Sequence, residues 1–212
     1  MPARPKPPKP TTIAFVRHGQ TPTTGKVLPG RARGLHLAEQ GQAQAKAAAE
    51  RLSACAKVAA VYASPLERAR ETAAPIAKAL GLRVRSERGL LECDFGSWTG
   101  RELKELARLP EWGQVQRNPS MFRFPEGESF LEMQARASDA VRRIVAAHPG
   151  EIVVCVSHAD PIKALAADAM GSHLDHFQRF VVSPCSITVI AYSAAGPTVL
   201  CLNSTDKLPA TP

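Results

Sequence analysis

Three scarcities narrow the chemistry before any motif is read. Aromatic residues make up 5% of the 212-residue chain, too few for a surface that stacks unpaired bases, so nucleic acid is not expected as a partner. No run of about 18 apolar residues occurs, which argues against a membrane-spanning helix and against a membrane partner. The five cysteines, at 55, 93, 155, 185 and 201, are odd in number and include no C-x-x-C pair, so a disulfide framework is not indicated. Cys155 and Cys201 fall in apolar, strand-like runs where a thiol serves as a small buried hydrophobe, and the expected compartment is a reducing cytoplasm. The net charge is +8, but part of it lies near the amino terminus. The rest is interleaved with Glu along expected helices, as on a solvated face.

Several ways of handling phosphate are missing as well. Residues 19–26 end in Gly25-Lys26 but are one residue too long for a P-loop, and Val27 stands where Ser or Thr is needed. Asp94-Phe95-Gly96 has no H-R-D segment to accompany it as in a kinase. Six residues beyond the cysteines, positions 61, 99, 161, 191 and 207 hold Val, Thr, Pro, Ala and Lys, never the Arg of a cysteine phosphatase. His173 and His176 lack a matching carboxylate or thiolate set and read as a polar face, and no metal site is expected. His36 and His148 read as surface positions without a role.

What is present is an alternation of strand and helix patterns. Arg4, Lys6 and Lys9 among five prolines make residues 1–11 a disordered tail in expectation. Residues 12–206 read as one domain and 207–212 as a flexible end. Strands are expected at 13–16, 58–63, 82–85, 152–156, 185–192 and 198–202, and helices at 38–54, 65–80, 100–108, 130–148 and 160–170. In the first helix Ala45, Ala48, Leu52 and Cys55 form one apolar stripe. Ser64–Glu67, Thr99–Glu102 and Ser129–Glu132 have the spacing of capping boxes, and Pro75 should bend or break its helix before Leu80-Gly81. Residues 109–128 carry three prolines and no clear period, so they are expected to form a lid-like insertion. The last two strands, with no helix between them, should pair antiparallel. The expected fold is a three-layer α/β/α sandwich whose central sheet is mostly parallel with one antiparallel strand.

The apolar run Ile13–Val16 stops at Arg17-His18-Gly19, the strand at 58–63 leads through Ser64-Pro65 to Arg68, and the strand at 152–156 ends at Ser157-His158. Strand carboxyl ends of such a sheet share one edge. Two arginines, two histidines and two helix amino termini meeting there would make a pocket for a dianion. A neutral imidazole in it can act as a nucleophile, and Gly19 would let the backbone approach the anion.

In order and spacing, Arg17-His18-Gly19, then Ser64-Pro65-Leu66-Glu67-Arg68 with Thr72, then Ser157-His158 resemble the histidine phosphatase superfamily, which includes the cofactor-dependent phosphoglycerate mutases. The resemblance implies a phosphoglycerate mutase-like fold with His18 as the nucleophile that becomes phosphohistidine, and Arg17, Arg68 and His158 as the phosphate clamp. It implies Glu92, in Leu90-Leu91-Glu92-Cys93-Asp94-Phe95, as the general acid, with Asp94 its nearest rival. Apolar Leu90, Leu91, Phe95 and Trp98 would raise the Glu92 pKa by desolvation. Gln20 and Thr21 would line the phosphate or substrate side and Ala159 would offer its backbone N–H. Ala159 and Thr24 stand where many relatives have Gly and Asn.

The expectation is then a metal-independent phosphatase with no cofactor, acting on a small phosphorylated metabolite. A phosphomutase is the first alternative, although 109–128 holds only Arg117 and Arg123 to bind a second phosphate. A phospholigand-binding regulator without turnover is the second. An exposed edge among the last two strands would offer a route to a homodimer.

Overall fold

The computed structural model describes residues 8–54 and 57–206. Its strands are β1 (Thr11–Arg17), β2 (Val58–Ala63), β3 (Val84–Ser86), β4 (Ile152–Ser157), β5 (Ile187–Ser193) and β6 (Gly196–Ser204). They form one sheet in the order β3-β2-β4-β1-β5-β6. β3, β2, β4 and β1 are parallel, β5 alone opposes them, and β6 returns antiparallel to β5. β1 and β4 are neighbours in register from Thr12↔Ile152 to Arg17↔Ser157, so Arg17 and Ser157 leave the sheet side by side.

These two strands read as unbroken apolar runs because both sheet faces are covered. Ala14 and Val16 point into a core with α1 (Glu39–Ser53) and α2 (Glu67–Ala79), through Ala45, Ala48, Leu52, Ala73 and Ile76. Ile13 and Phe15 point the other way, into a core with α5 (Phe130–Ala147) and α6 (Ala159–Ala169), through Ala137, Val141, Ile144, Ile162 and Leu165. The three-layer sandwich with one opposing strand is therefore as expected. Among the described residues no helix is long and apolar enough to cross a membrane.

The structure corrects several boundaries. β1 opens at Thr11, inside the stretch assigned to the tail, because the Thr11 hydroxyl donates to the His148 carbonyl at 2.7 Å and accepts the Gly150 N–H at 3.1 Å. His148 is itself buried, its ring within hydrogen-bond reach of the Tyr62 hydroxyl at 3.1 Å and the Glu151 carboxylate at 2.7 Å. Cys55 and residues 1–7 and 207–212 lie outside the described residues. β3 begins two residues later than expected, and the β5–β6 connection is a tight turn at Ala194-Ala195 with Ser193 paired to Gly196.

Of the three capping boxes only the last forms, with the Ser129 hydroxyl accepting the Glu132 N–H and the Glu132 carboxylate accepting the Ser129 N–H. α2 starts at Glu67 without a side-chain cap, since the Ser64 hydroxyl is engaged elsewhere. It also runs through Pro75; the missing N–H is tolerated in a helix whose Ala73, Ile76 and Ala77 are buried on the sheet. The third expected helix shrinks to α3 (Leu103–Leu106). Gly100 has φ +85°, and the backbone after it pairs with residues 26–28 instead: Gly100 N–H to Leu28 O at 2.8 Å, Leu28 N–H to Arg101 O at 2.9 Å.

Residues 109–128 are folded rather than open. They contain α4 (Trp112–Arg117) and a 3₁₀ turn at Pro119–Met121, and Val115, Phe122 and Phe124 are buried with Trp98, Phe130, Met133 and Phe177 in a third core. Phe124 alone meets the rings of Phe95, Trp98, Phe122 and Phe130 at 4.8–5.4 Å. The few aromatics of the chain are concentrated here, and their area compensates for the absent regular structure.

Candidate active site

The exits of three parallel strands are tied to one another. The His18 N–H donates to Ser157 O at 2.9 Å and the Ser64 N–H to Val156 O at 2.9 Å. This brings His18 from β1 and His158 from β4 into edge-to-face contact, ring centroids 5.1 Å apart. Arg68, in the first turn of α2, is fully buried and directs its Nε to His18 Nε2 at 3.3 Å. His18 Nδ1 lies 2.8 Å from the Gly19 carbonyl, so it carries the ring proton and Nε2 keeps its lone pair. Burial, with the Arg68 and Arg17 charges adding to it, holds the His18 pKa well below 6.5. The imidazole is neutral at physiological pH.

Each neighbour is anchored on one side. Arg17 Nη1 donates to Val182 O at 2.7 Å, Arg68 Nη2 to Gly30 O at 2.7 Å, and His158 Nε2 meets the Ser64 hydroxyl at 2.8 Å. Burial followed by Arg68 also lowers the His158 pKa well below its usual value. On the other side, Arg17 Nε, Arg68 Nη1 and His158 Nδ1 are buried with no hydrogen-bond partner among the described residues. An unsatisfied buried polar group costs roughly 1–3 kcal/mol. All three belong to residues that adjoin or touch His18, and donors left free in this way are available to the oxygens of an anion.

Glu92 completes the set. It is buried, its carboxylate accepts the Cys93 N–H at 3.0 Å, and burial first, then the Asp160 charge, pushes its pKa up to about 7. Leu90 and Leu91 are buried beside it in sequence, whereas Phe95 and Trp98 belong to the aromatic core. Asp94 is separated from this role by its surroundings: it is half-exposed, paired to Arg31 at 3.3 Å, and accepts the Gly96 N–H.

A network that sequence reasoning missed fixes Glu92. Its carbonyl accepts Arg31 Nε at 3.0 Å and Arg136 Nη2 at 2.9 Å, while Arg136 Nη1 donates to Gly89 O and Leu91 O. Glu128, last residue of the irregular segment, binds Arg31 at 2.8 Å and Arg136 at 2.7 Å. Nothing local marks these residues, because apart from Glu128 with Arg136 the contacts join positions about 40 to 100 apart in sequence.

Gly19 has a packing reason that the sequence did not show. A Cβ there would lie 2.5 Å from Gly41 O, and a Cβ on Gly41 2.0 Å from Gln20 O, so the two glycines let the His18 loop sit on the start of α1. Gly41, an isolated glycine in a helical pattern, was the available signal. The Gly19 N–H donates to the Thr72 hydroxyl at 3.0 Å, and Thr72 in turn donates to Arg68 O at 2.7 Å. Gln20 is tied to α1, its N–H donating to Gln44 at 2.9 Å and its carbonyl accepting the Ala38 N–H at 2.9 Å. Thr21 is buried with its hydroxyl 3.0 Å from that of Thr24, which also accepts the Thr21 N–H. Thr24 therefore closes the loop. Ala159 is the first residue of α6 with His158 at the cap position, so its N–H is among those a helix start leaves free.

A family model described as the histidine phosphatase superfamily (branch 1) matches residues 13–205. The chain belongs to this superfamily. A bifunctional protein of Mycobacterium tuberculosis is 34% identical over 194 residues, 88% of this chain and 52% of its own length, so the chain spans about half of that relative. Phosphoserine phosphatase 1 of Hydrogenobacter thermophilus is 33% identical over 201 residues, 92% of this chain and 93% of its own. The native structure of a mycobacterial glucosyl-3-phosphoglycerate phosphatase superposes with a TM-score of 0.83 at 25% identity, covering 93% of this chain and all of that one. As a histidine phosphatase superfamily member, the chain has its Arg17-His18, Arg68 and His158 together at one sheet edge.

Proposed function

We propose that the protein is a phosphatase that hydrolyses a small phosphorylated metabolite through phosphohistidine on His18. The observation that carries this is the buried, neutral His18 with its Nε2 lone pair facing Arg68 and ringed by partnerless atoms of Arg17, Arg68 and His158. His18 Nε2 forms a bond to phosphorus as the ester P–O bond breaks, and protonated Glu92 gives its proton to the leaving oxygen. Ionised Glu92 then takes a proton from water, the new hydroxyl attacks phosphorus, and the N–P bond breaks to return His18 and release phosphate. Arg17, Arg68 and His158 spread the charge of the transferring group, the main requirement of phosphoryl transfer.

The names of two relatives, a phosphoserine phosphatase and a glucosyl-3-phosphoglycerate phosphatase, support hydrolysis. So does the irregular segment: Arg123 is paired with Glu132 and donates to Gly127 O at 3.0 Å, which leaves Arg117 alone of its two arginines to hold a second phosphate in a mutase. A regulator without turnover would have no need of Glu92. The free thiols Cys93, Cys155, Cys185 and Cys201 fit a reducing cytoplasm.

The test is incubation with a panel of phosphorylated metabolites, assaying released phosphate and rearranged ester for each. Free phosphate is expected, at a rate unchanged by excess EDTA. Rearranged ester without free phosphate would establish the mutase, and phosphate binding without turnover the regulator. Arg136→Ala, which strips three carbonyls around Glu92 of a donor, is expected to lower kcat by about 10- to 100-fold through misplacement of the acid. A shifted basic limb of the pH–rate profile, with KM little changed, would distinguish this from simple loss of stability.

A further inference from the structure

A cavity of about 390 Å³ is lined by Arg31, Arg33, Pro65, Leu66, Glu67, Arg88 and Leu91, a volume in the range of small-molecule sites. Its lining residues are tied to the reacting groups by chain adjacency and by hydrogen bonds. Leu91 precedes Glu92 and Glu67 precedes Arg68 in the chain. Gly30, next to Arg31, holds Arg68 Nη2 through its carbonyl, and Arg31 holds the Glu92 carbonyl.

The three arginines differ in what they already bind. Arg31 is neutralised by Asp94 and Glu128. Arg33 and Arg88 are exposed and make no ion pair with the described residues. One carboxylate opposes them, that of Glu67, whose own N–H and that of Gly34 keep its pKa below the usual range. Two uncommitted guanidinium groups against one carboxylate leave a net positive cavity next to a phosphoryl site, approached from two different loops. Planar guanidinium groups bind carboxylate or phosphate bidentately.

We propose that the substrate carries a second anionic group, carboxylate or phosphate, and that Arg33 and Arg88 bind it while His18 takes the phosphoryl group. The proposal rests on the phosphatase reading and adds the substrate class.

The experiment compares kcat/KM for glycerol 3-phosphate, 3-phosphoglycerate and propane-1,3-diol bisphosphate, in wild type, Arg33→Ala, Arg88→Ala and the double variant. Wild type is expected to prefer one of the two dianionic-tailed or carboxylated esters over glycerol 3-phosphate by about tenfold or more, and which one it prefers identifies the anion. Each single variant should reduce that ratio several-fold, and the double variant should bring it close to one. His18-dependent turnover without any preference, or an equal loss on all three esters in the double variant, would overturn the subsite and leave the phosphatase standing. If neither these esters nor any member of the wider metabolite panel is turned over, the phosphatase reading fails. Calorimetric binding of the same compounds then decides the subsite, and an affinity unchanged in the double variant overturns it too.

Discussion

His18→Ala is expected to lower kcat by about 10⁴-fold or more, the scale seen when a covalent nucleophile is removed from an enzyme. The neighbours cannot substitute for it. His158 has its Nε2 engaged with Ser64, and no other imidazole lies against Arg68 among the ring contacts of the site. The fold should persist, because the loop is held by backbone bonds of His18 to Ser157 and of Gly19 to Thr72 that the substitution leaves in place. Phosphate release at saturating substrate, measured beside a melting curve, separates the two effects. Wild type mixed with radiolabelled substrate and quenched in alkali should retain protein-bound phosphate that acid removes, and the variant should retain none. Substantial turnover in the variant would falsify the covalent route.

Glu92→Gln is expected to slow hydrolysis by about 10²- to 10⁴-fold for alkyl phosphates and far less for an aryl ester whose leaving group needs no proton, as general acid catalysis requires. Because the Glu92 pKa is pushed up to about 7, wild-type kcat/KM should fall as pH rises through about 7, and this limb should vanish in the variant. Stability should respond in the opposite sense to the substitution. A carboxyl with a folded pKa above its unfolded one contributes stability that is fully present below about 4.5 and is lost as pH rises to about 7, here by about 3 kcal/mol. Gln, an uncharged group of the same shape, escapes that loss. At pH 8 the variant should therefore melt higher than wild type, and a lower melting temperature there would show that Glu92 is not held in a desolvated site.

Sequence legibility followed the range of the forces involved. Hydrophobic runs located all six strands to within about two residues, and the Arg17-His18, Arg68 and His158 positions could be placed at strand exits by the topology rule alone. Caps were less readable. Ser64, Thr99 and Ser129 have the same spacing to a Glu, yet only Ser129 caps its helix. The Ser64 hydroxyl faces His158, and Gly100 after Thr99 pairs with the 26–28 segment; both are tertiary contacts that outweigh a local preference worth about 1 kcal/mol. The segment 109–128 looked formless because its order comes from aromatic packing between distant rings, not from a period along the chain.

By itself the sequence determined the α/β sandwich, the strand-exit placement of Arg17, His18, Arg68 and His158 and the order in which the chain supplies them, because alternating apolar runs and strand-end residues are local signals. Only the tertiary structure decided which nitrogen of His18 is free, that Glu92 rather than Asp94 is desolvated, and that Arg31, Glu128 and Arg136 hold it in place. Those properties are set by burial and by charges brought together from opposite ends of the chain, and neither exists until the sheet has closed around them.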